Sequence, residues 1–257
     1  MEETPWIQVN IDYPGDDPHQ RERHAVGHLS RILPAAEDAG RINSWWFIRK
    51  GRWRVRYLPN EPPTSQNGCA VHLALTESAR WTKDLYEPEL HAFGGTAGMD
   101  TAHNLFHNDS RHLLSYLDGT TTDRRERSLV LCTALMRAAG LDFGEQGDVW
   151  ARLACQRSAL LLDEPPAPRP WASFTSDVRH LLLGEPRTEE ISADWLNAFE
   201  QAGSQLKDLR EQGELTRGIR AVTALHVIFH WNRIGIPAAT QAVLAQAAKE
   251  AVFGVLD

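Results

Sequence analysis

The sequence predicts an α+β fold: a small antiparallel sheet from the N-terminal part, packed with a largely helical C-terminal part. Three observations carry that reading. Apolar side chains alternate with period two in parts of the first sixty residues. After Thr96 they recur almost everywhere at helical spacing. The chain of 257 residues is 42% hydrophobic and 24% charged, an ordinary globular composition with length enough for a core.

Taken in order, Trp6 to Ile11 reads as a half-buried strand, because Ile7, Val9 and Ile11 alternate with Gln8 and Asn10. Gln20 to Ala39 carries Val26, Leu29, Ile32, Leu33 and Ala36 at helical spacing and stops near Gly40. Trp45 to Ile48 and Trp53 to Leu58 read as the two strands of a hairpin around a tight turn at Lys50-Gly51. Residues 61–68, EPPTSQNG, read as a loop. Cys69 to Trp81 reads as a helix, and Asp84 to Phe93 as an extended segment ending at Gly94-Gly95. Further helices are predicted over Ala97–Phe106, Arg111–Leu117, Arg124–Ala139, Glu145–Leu160, Ala193–Gln212, Thr216–Asn232 and Ala238–Phe253. Four prolines in DEPPAPRP, 163–170, mark a linker. The chain reads as one domain over 1–257, with a sheet-containing part over 1–95 and a helical part over 96–257.

Charge narrows the function classes. A formal net charge of -7 and a pI near 5.9 argue against broad nucleic-acid binding, so no direct nucleic-acid partner is expected. Cys69, Cys132 and Cys155 are widely spaced and form no CxxC pair, which favours a reducing cytoplasm. The acidic, polar start lacks a signal-peptide pattern, and no run of 18 apolar residues exists, so no membrane association is expected. GxGxxG, GxxxxGK[ST] and GxSxG are all absent from the sequence.

Three constellations carry chemistry. In Arg49-Lys50-Gly51-Arg52-Trp53-Arg54-Val55-Arg56-Tyr57, strand alternation sends Trp53, Val55 and Tyr57 to one face and Arg52, Arg54 and Arg56 to the other. Guanidinium groups rooted about 7 Å apart suit a ligand with two carboxylates, since each planar fork binds one bidentately. A solvated strand face is the plainer alternative. The second constellation joins Glu87, Glu89, His91 and Gly94-Gly95 to the helix that follows. The glycine turn could hold an anion or merely turn the chain, and the two glutamates, on one strand face, could serve as acid and base or stay solvated. The third is Leu225-His226-Val227-Ile228-Phe229-His230-Trp231-Asn232-Arg233. Here His226 and His230 share a helix face, as His103 and His107 do earlier. The Glu of HExxH is missing and no third ligand is indicated, so no metal and no cofactor are expected. A histidine in so apolar a helix is a packed core residue or a proton carrier near neutral pH.

The strings WWFIRKGRWRVRY, YEPELHAFGGTAGMD, LFHNDSRHLL and HVIFHWNR, in this order and at these intervals, resemble the thiopeptide-type bacteriocin biosynthesis proteins. These are similar to the C-terminal, glutamate-elimination domain of class I lanthipeptide dehydratases, and the chain looks like a free-standing small subunit of that kind over residues 5 to 254. The resemblance implies a lyase acting on a ribosomally made precursor peptide. A partner subunit uses glutamyl-tRNA to glutamylate Ser or Thr, and the elimination subunit expels glutamate to leave dehydroalanine or dehydrobutyrine. By motif the family's two arginines and C-terminal histidine fall on Arg54, Arg56 and His230, with His226 the competing histidine. Arg49, Arg52, His91, Arg111, Asn232 and Arg233 are candidate substrate-binding residues. The family often has an arginine just before the aromatic-Gly-Gly element. Ala92 stands there in this chain, which leaves Arg111 or Arg49 to substitute. Two alternatives share the resemblance: a pyridine synthase that joins two dehydroalanines in a formal [4+2] cycloaddition with leader release, and a non-catalytic module that binds the leader peptide.

Overall fold

The computed structural model of the protein describes residues 5–61, 66–77, 79–119, 123–160, 168–184 and 191–254. The chain divides into two compact units, 1–88 with 106–122, and 89–105 with 123–257.

The first unit is built on a four-stranded antiparallel sheet. Its strands are β1 (Ile7–Asp12), β2 (Ile42–Lys50), β3 (Arg52–Pro59) and β4 (Arg80–Asp84), in the order β2-β3-β1-β4. Helices α1 (Pro18–Asp38) and α2 (Gln66–Thr76) join them. Asp17 starts α1 by accepting from the His19 and Gln20 amides at 2.8 and 2.9 Å, with Pro18 in the first turn where its missing N–H is no loss. One face of the hairpin supplies Trp45, Phe47, Trp53, Val55 and Tyr57 to the core, together with Val9 and Ile11 of β1. Val26, Leu29 and Leu33 of α1 and Val71 and Leu75 of α2 are buried as well.

Helix α3 (Thr96–Leu117) contributes 96–105 to the second unit and 106–117 to the first. Its latter half lies along β2, an edge strand whose outward amides need partners. His107 Nδ1 lies 3.3 Å from the Trp45 amide and 2.9 Å from the Trp45 carbonyl, and Ser110 Oγ accepts from the Phe47 amide at 3.3 Å.

The second unit is otherwise helical: α4 (Arg124–Ala138), α5 (Phe143–Arg157) followed by a 3-10 turn at Ser158–Leu160, α6 (Pro168–Leu183), α7 (Ala193–Glu211), α8 (Ile219–Ile234) and α9 (Ala238–Phe253). Helix α5 packs on α8 and α9, and α4 on α6, α7 and α8. Trp150 and Trp231 stack across α5 and α8 with ring centroids 6.1 Å apart. No helix among the described residues is long and apolar enough to cross a membrane.

Helices α4 and α7 meet where Gly203 has no side chain. A Cβ there would overlap the Leu135 carbonyl oxygen and come within 2.8 Å of Ala138 Cβ and 2.9 Å of the Ala139 amide. Gly203→Ala gains about 1 kcal/mol of helix propensity, but overpacking against backbone that cannot move away costs about 3 kcal/mol. A net loss of about 2 kcal/mol, read as a lower denaturant midpoint, is expected.

Five sequence expectations need correction. The helix expected over Cys69–Trp81 runs from Gln66 to Thr76, so the end of the 61–68 loop already belongs to it, while 62–65 lie outside the described residues. Trp81 instead sits on β4, because the open edge of β1 offers that segment a ladder of backbone hydrogen bonds. Of the extended segment Asp84–Phe93 only Asp84 is strand, so Glu87 and Glu89 share no strand face and are simply exposed. The two helices over 97–117 are one. Asn108-Asp109-Ser110 does not break it, since Asp109 and Ser110 are buried and Ser110 serves the β2 edge. In the expected linker, 163–167 lie outside the described residues, while Pro168 to Pro170 form the first turn of α6, where proline is tolerated. The rest of α6, to Leu183, has no counterpart among the expected elements.

Candidate functional site

In the first unit, Arg52, Arg54 and Arg56 occupy one face of the sheet, opposite Trp53, Val55 and Tyr57. Register places Gln8 of β1 beside Arg56, Asn10 beside Arg54, and Trp46 of β2 on the other side of Arg56. On β4, Asp84 is paired with Gln8 and Thr82 with Asn10. The face therefore descends from a buried, aromatic end at Arg56 to an exposed end at Arg52.

Arg56 is 92% buried and its guanidinium is sandwiched between aromatic rings, 4.2 Å from the Trp46 centroid and 4.3 Å from that of Tyr86. Its Nε donates to Gln8 Oε1 at 2.6 Å. The Gln8 amide passes the chain on, donating to Asp84 Oδ2 at 2.8 Å and to Asn10 Oδ1 at 3.0 Å, and the Asn10 amide donates to the same Asp84 oxygen at 3.1 Å. The Asn10 amide, aided by the Leu85 N–H and the positive charge of Arg54 and Arg56, holds the Asp84 carboxyl below the usual carboxylate range. This face already stabilises one carboxylate.

Arg54 is half-buried between these partners and makes no hydrogen bond or ion pair among the described residues. Arg52 is exposed, with its Nε 3.2 Å from Asp12 Oδ1 and Nη1 3.3 Å from Thr82 Oγ1. Arg49 lies on the opposite face, stacked 4.8 Å over Trp53 and paired with the buried Glu22. Arg111 pairs with Glu37 at 2.8 Å. That carboxylate also meets His107 at 3.2 Å and accepts from Trp45 Nε1 at 2.8 Å. Both candidates for a third carboxylate-binding arginine are thus paired with internal glutamates.

In the second unit, His230 and Arg233 are fully buried in α8, and the Phe199 ring meets that of His230 edge-on at 5.1 Å. Asn232 Oδ1 accepts from Gln241 Nε2 at 3.0 Å. His226 donates through Nδ1 to the Val222 carbonyl at 3.0 Å and is crossed by the Phe93 ring at 5.1 Å. Burial, aided by the positive charge of Arg233, pushes its pKa down to about 4. His91 is exposed in the turn before Phe93.

The Gly94-Gly95 turn has a structural role. Both residues have positive φ, +85° and +106°, and a Cβ on Gly94 would press on Leu215 at 2.7 Å. The Gly94 carbonyl accepts from the Thr216 amide at 2.9 Å, and Arg217 Nη1 donates to the Ala92 carbonyl at 2.8 Å. The position that lacks an arginine in sequence thus receives a guanidinium from the loop before α8. Gln8, Asp84 and Tyr86 are further members of the arginine face that sequence reasoning did not identify. Among the described residues no group of three or more His, Cys, Asp or Glu is placed to hold a metal ion.

Comparison with known proteins adds the family context. The sequence matches the family described as lantibiotic biosynthesis dehydratase, C-terminal, over residues 6–252. The fold is similar to that in the crystal structure of the tRNA dependent lantibiotic dehydratase MibB from Microbispora sp. 107891, with 18% identity and a TM-score of 0.63. That match covers 98% of this chain and 28% of MibB, so the chain spans well under half the length of that relative. It is also similar to the crystal structure of TsrL, with 16% identity, a TM-score of 0.56, and coverage of 98% of this chain and 99% of that one. At these identities the likeness concerns the fold. No curated protein matches the sequence.

Proposed function

The chain belongs to the lantibiotic biosynthesis dehydratase C-terminal family, and from that premise we propose that it is the glutamate-eliminating lyase of a split dehydratase. It acts on a precursor peptide whose Ser or Thr side chains carry a glutamyl ester. A base removes the α-proton of the esterified residue, the electron pair forms the Cα=Cβ bond, and the Cβ–O bond breaks to release glutamate as a carboxylate. Dehydroalanine or dehydrobutyrine remains. The esterification itself belongs to a partner subunit that uses glutamyl-tRNA.

The observation that carries this reading is Arg54, half-buried beside Arg56 with no hydrogen bond or ion pair among the described residues, on a face that already favours the charged form of Asp84. Arg54 and Arg56 bind the carboxylates of the glutamyl group and offset the charge that develops on the departing oxygen. Arg52 extends the same face toward solvent. His230 carries the proton. His226, whose pKa burial pushes down to about 4, is a weak base at neutral pH. Asn232 and Arg233 follow it at the end of α8 and orient it, and His91 binds peptide. No covalent nucleophile is needed. The reaction takes place in the cytoplasm, where charged tRNA is available.

The test is direct. The protein is incubated with a glutamylated precursor peptide, and each peptide is followed by mass. Loss of the glutamyl adduct with appearance of dehydrated residues is expected. An unchanged glutamylated peptide, together with leader loss from a dehydrated, azole-bearing peptide, would overturn elimination in favour of cycloaddition. Dehydration that survives both Arg54→Ala and His230→Ala would remove these residues from the chemistry.

A further inference from the structure

A second basic site lies in the helical unit and does not depend on the elimination reading. Four arginines from three helices and one loop line an open cleft of about 570 Å³: Arg152 of α5, Arg210 of α7, Arg217 of the loop before α8, and Arg220 in the first turn of α8. In a chain of net charge -7 such a concentration of guanidinium groups is out of keeping with the whole. Arg220 is paired with Asp148, and Arg217 spends one donor on the Ala92 carbonyl. Arg210 has only a 3.8 Å contact with Glu211, and Arg152 has no hydrogen bond or ion pair among the described residues. The acidic lining residue, Glu145, is held in the capping box of α5 with Asp142. Helix α8 begins at the same cleft, with Gly218, Ile219 and Arg220 in its lining and no side-chain cap.

We propose that this cleft binds a phosphate-bearing ligand through its phosphates. Three guanidinium groups beyond the Arg220–Asp148 pair match a group carrying two or more negative charges, and the planar fork of arginine suits phosphate oxygens. The volume exceeds what one bare anion needs and falls in the range of small-molecule sites. No aromatic side chain lines the cleft among the described residues, so the lining recognises the phosphates and offers no stacking platform for a base. A free phosphate ester and the backbone of an RNA share this chemistry.

The test uses inorganic pyrophosphate as probe on the full chain, read by calorimetry and by thermal melting at constant ionic strength. Saturable binding is expected, weakened at least about tenfold in the double variant Arg152→Gln, Arg210→Gln. Both residues are exposed, so the variant should melt like the parent protein without pyrophosphate. A variant that binds pyrophosphate as the parent does would overturn the site. So would equal stabilisation of the parent by sodium chloride or sodium glutamate, which would leave a general ionic effect only. Competition separates the two sources: an RNA ligand displaces pyrophosphate from the parent protein at micromolar concentration, whereas a small phosphate ester displaces it where RNA does not. Either result requires the arginine cleft. Because pyrophosphate binding is read without any peptide, failure of this proposal and failure of glutamate elimination are distinguishable.

Discussion

Under the proposed elimination, replacing Arg54 with alanine is expected to lower the rate by about 10²–10³-fold, the cost of removing one preorganised group that stabilises developing negative charge. The effect should fall mainly on kcat, because the guanidinium meets more negative charge when the Cβ–O bond breaks than when the ester is intact. Arg54 is the more decisive variant of the pair. Among the described residues its side chain has no hydrogen bond or ion pair to lose, so the folded state should change little. Arg56→Ala, by contrast, would also empty the slot between Trp46 and Tyr86 and leave Gln8 without its donor. Its loss of activity would therefore mix chemistry with packing. Arg54→Lys should recover part of the rate, since charge is kept and bidentate geometry is lost. Single-turnover dehydration followed by mass, with melting curves of each variant, separates these outcomes. An Arg54→Ala protein that dehydrates at the parent rate would exclude the arginine face from the reaction.

Acid should destabilise the helical unit through His226. Its folded pKa lies near 4, below the ordinary value of 6.5 expected in the unfolded chain. The unfolded state therefore binds the proton more readily. Stability is intact above pH 6.5 and falls as the pH drops toward the folded pKa, by about 3 kcal/mol in all, the equivalent of the separation between the two values. In His226→Asn the amide can still donate to the Val222 carbonyl but no longer titrates. Urea unfolding at about pH 7.5 and about pH 4.5 should show a smaller acid-induced loss in this variant than in the parent. An equal loss in both proteins would mean that other groups carry the acid sensitivity.

The hairpin and its arginine face were legible because they obey local rules. Gly51, with φ of +76°, is the pivot that the Lys50-Gly51 turn implies. Once the pivot is known, counting outward pairs Arg49 with Trp53 and Trp46 with Arg56. The cation–π partner in β2 was thus available from sequence by counting. Gln8, Asp84 and Tyr86 were not, because they reach Arg56 through the β1–β3 and β1–β4 registers and the chain beyond β4, and no local periodicity encodes those. The same non-local pairing turned Trp81 from a helical residue into a strand residue. Buried Glu22 and half-buried Glu37 left no sign in α1 that they would take up Arg49 and Arg111. The long helices α7 and α9 matched their expected bounds to within one residue, since about four to five turns of apolar-rich helical pattern outweigh any single ambiguous position. Helix α6 was hidden by prolines that sit where a helix can begin.

The side chains of His107 and Ser110 have a consequence for self-association. Edge-to-edge growth of a sheet into a fibre needs two open edges, one to receive and one to offer a strand. With α3 meeting the Trp45 and Phe47 amides of β2, β4 is the other edge in the strand order among the described residues. Copies that met through their sheets would have to join β4 to β4. Such a contact is isologous, related by a two-fold axis, and is complete once two molecules have paired.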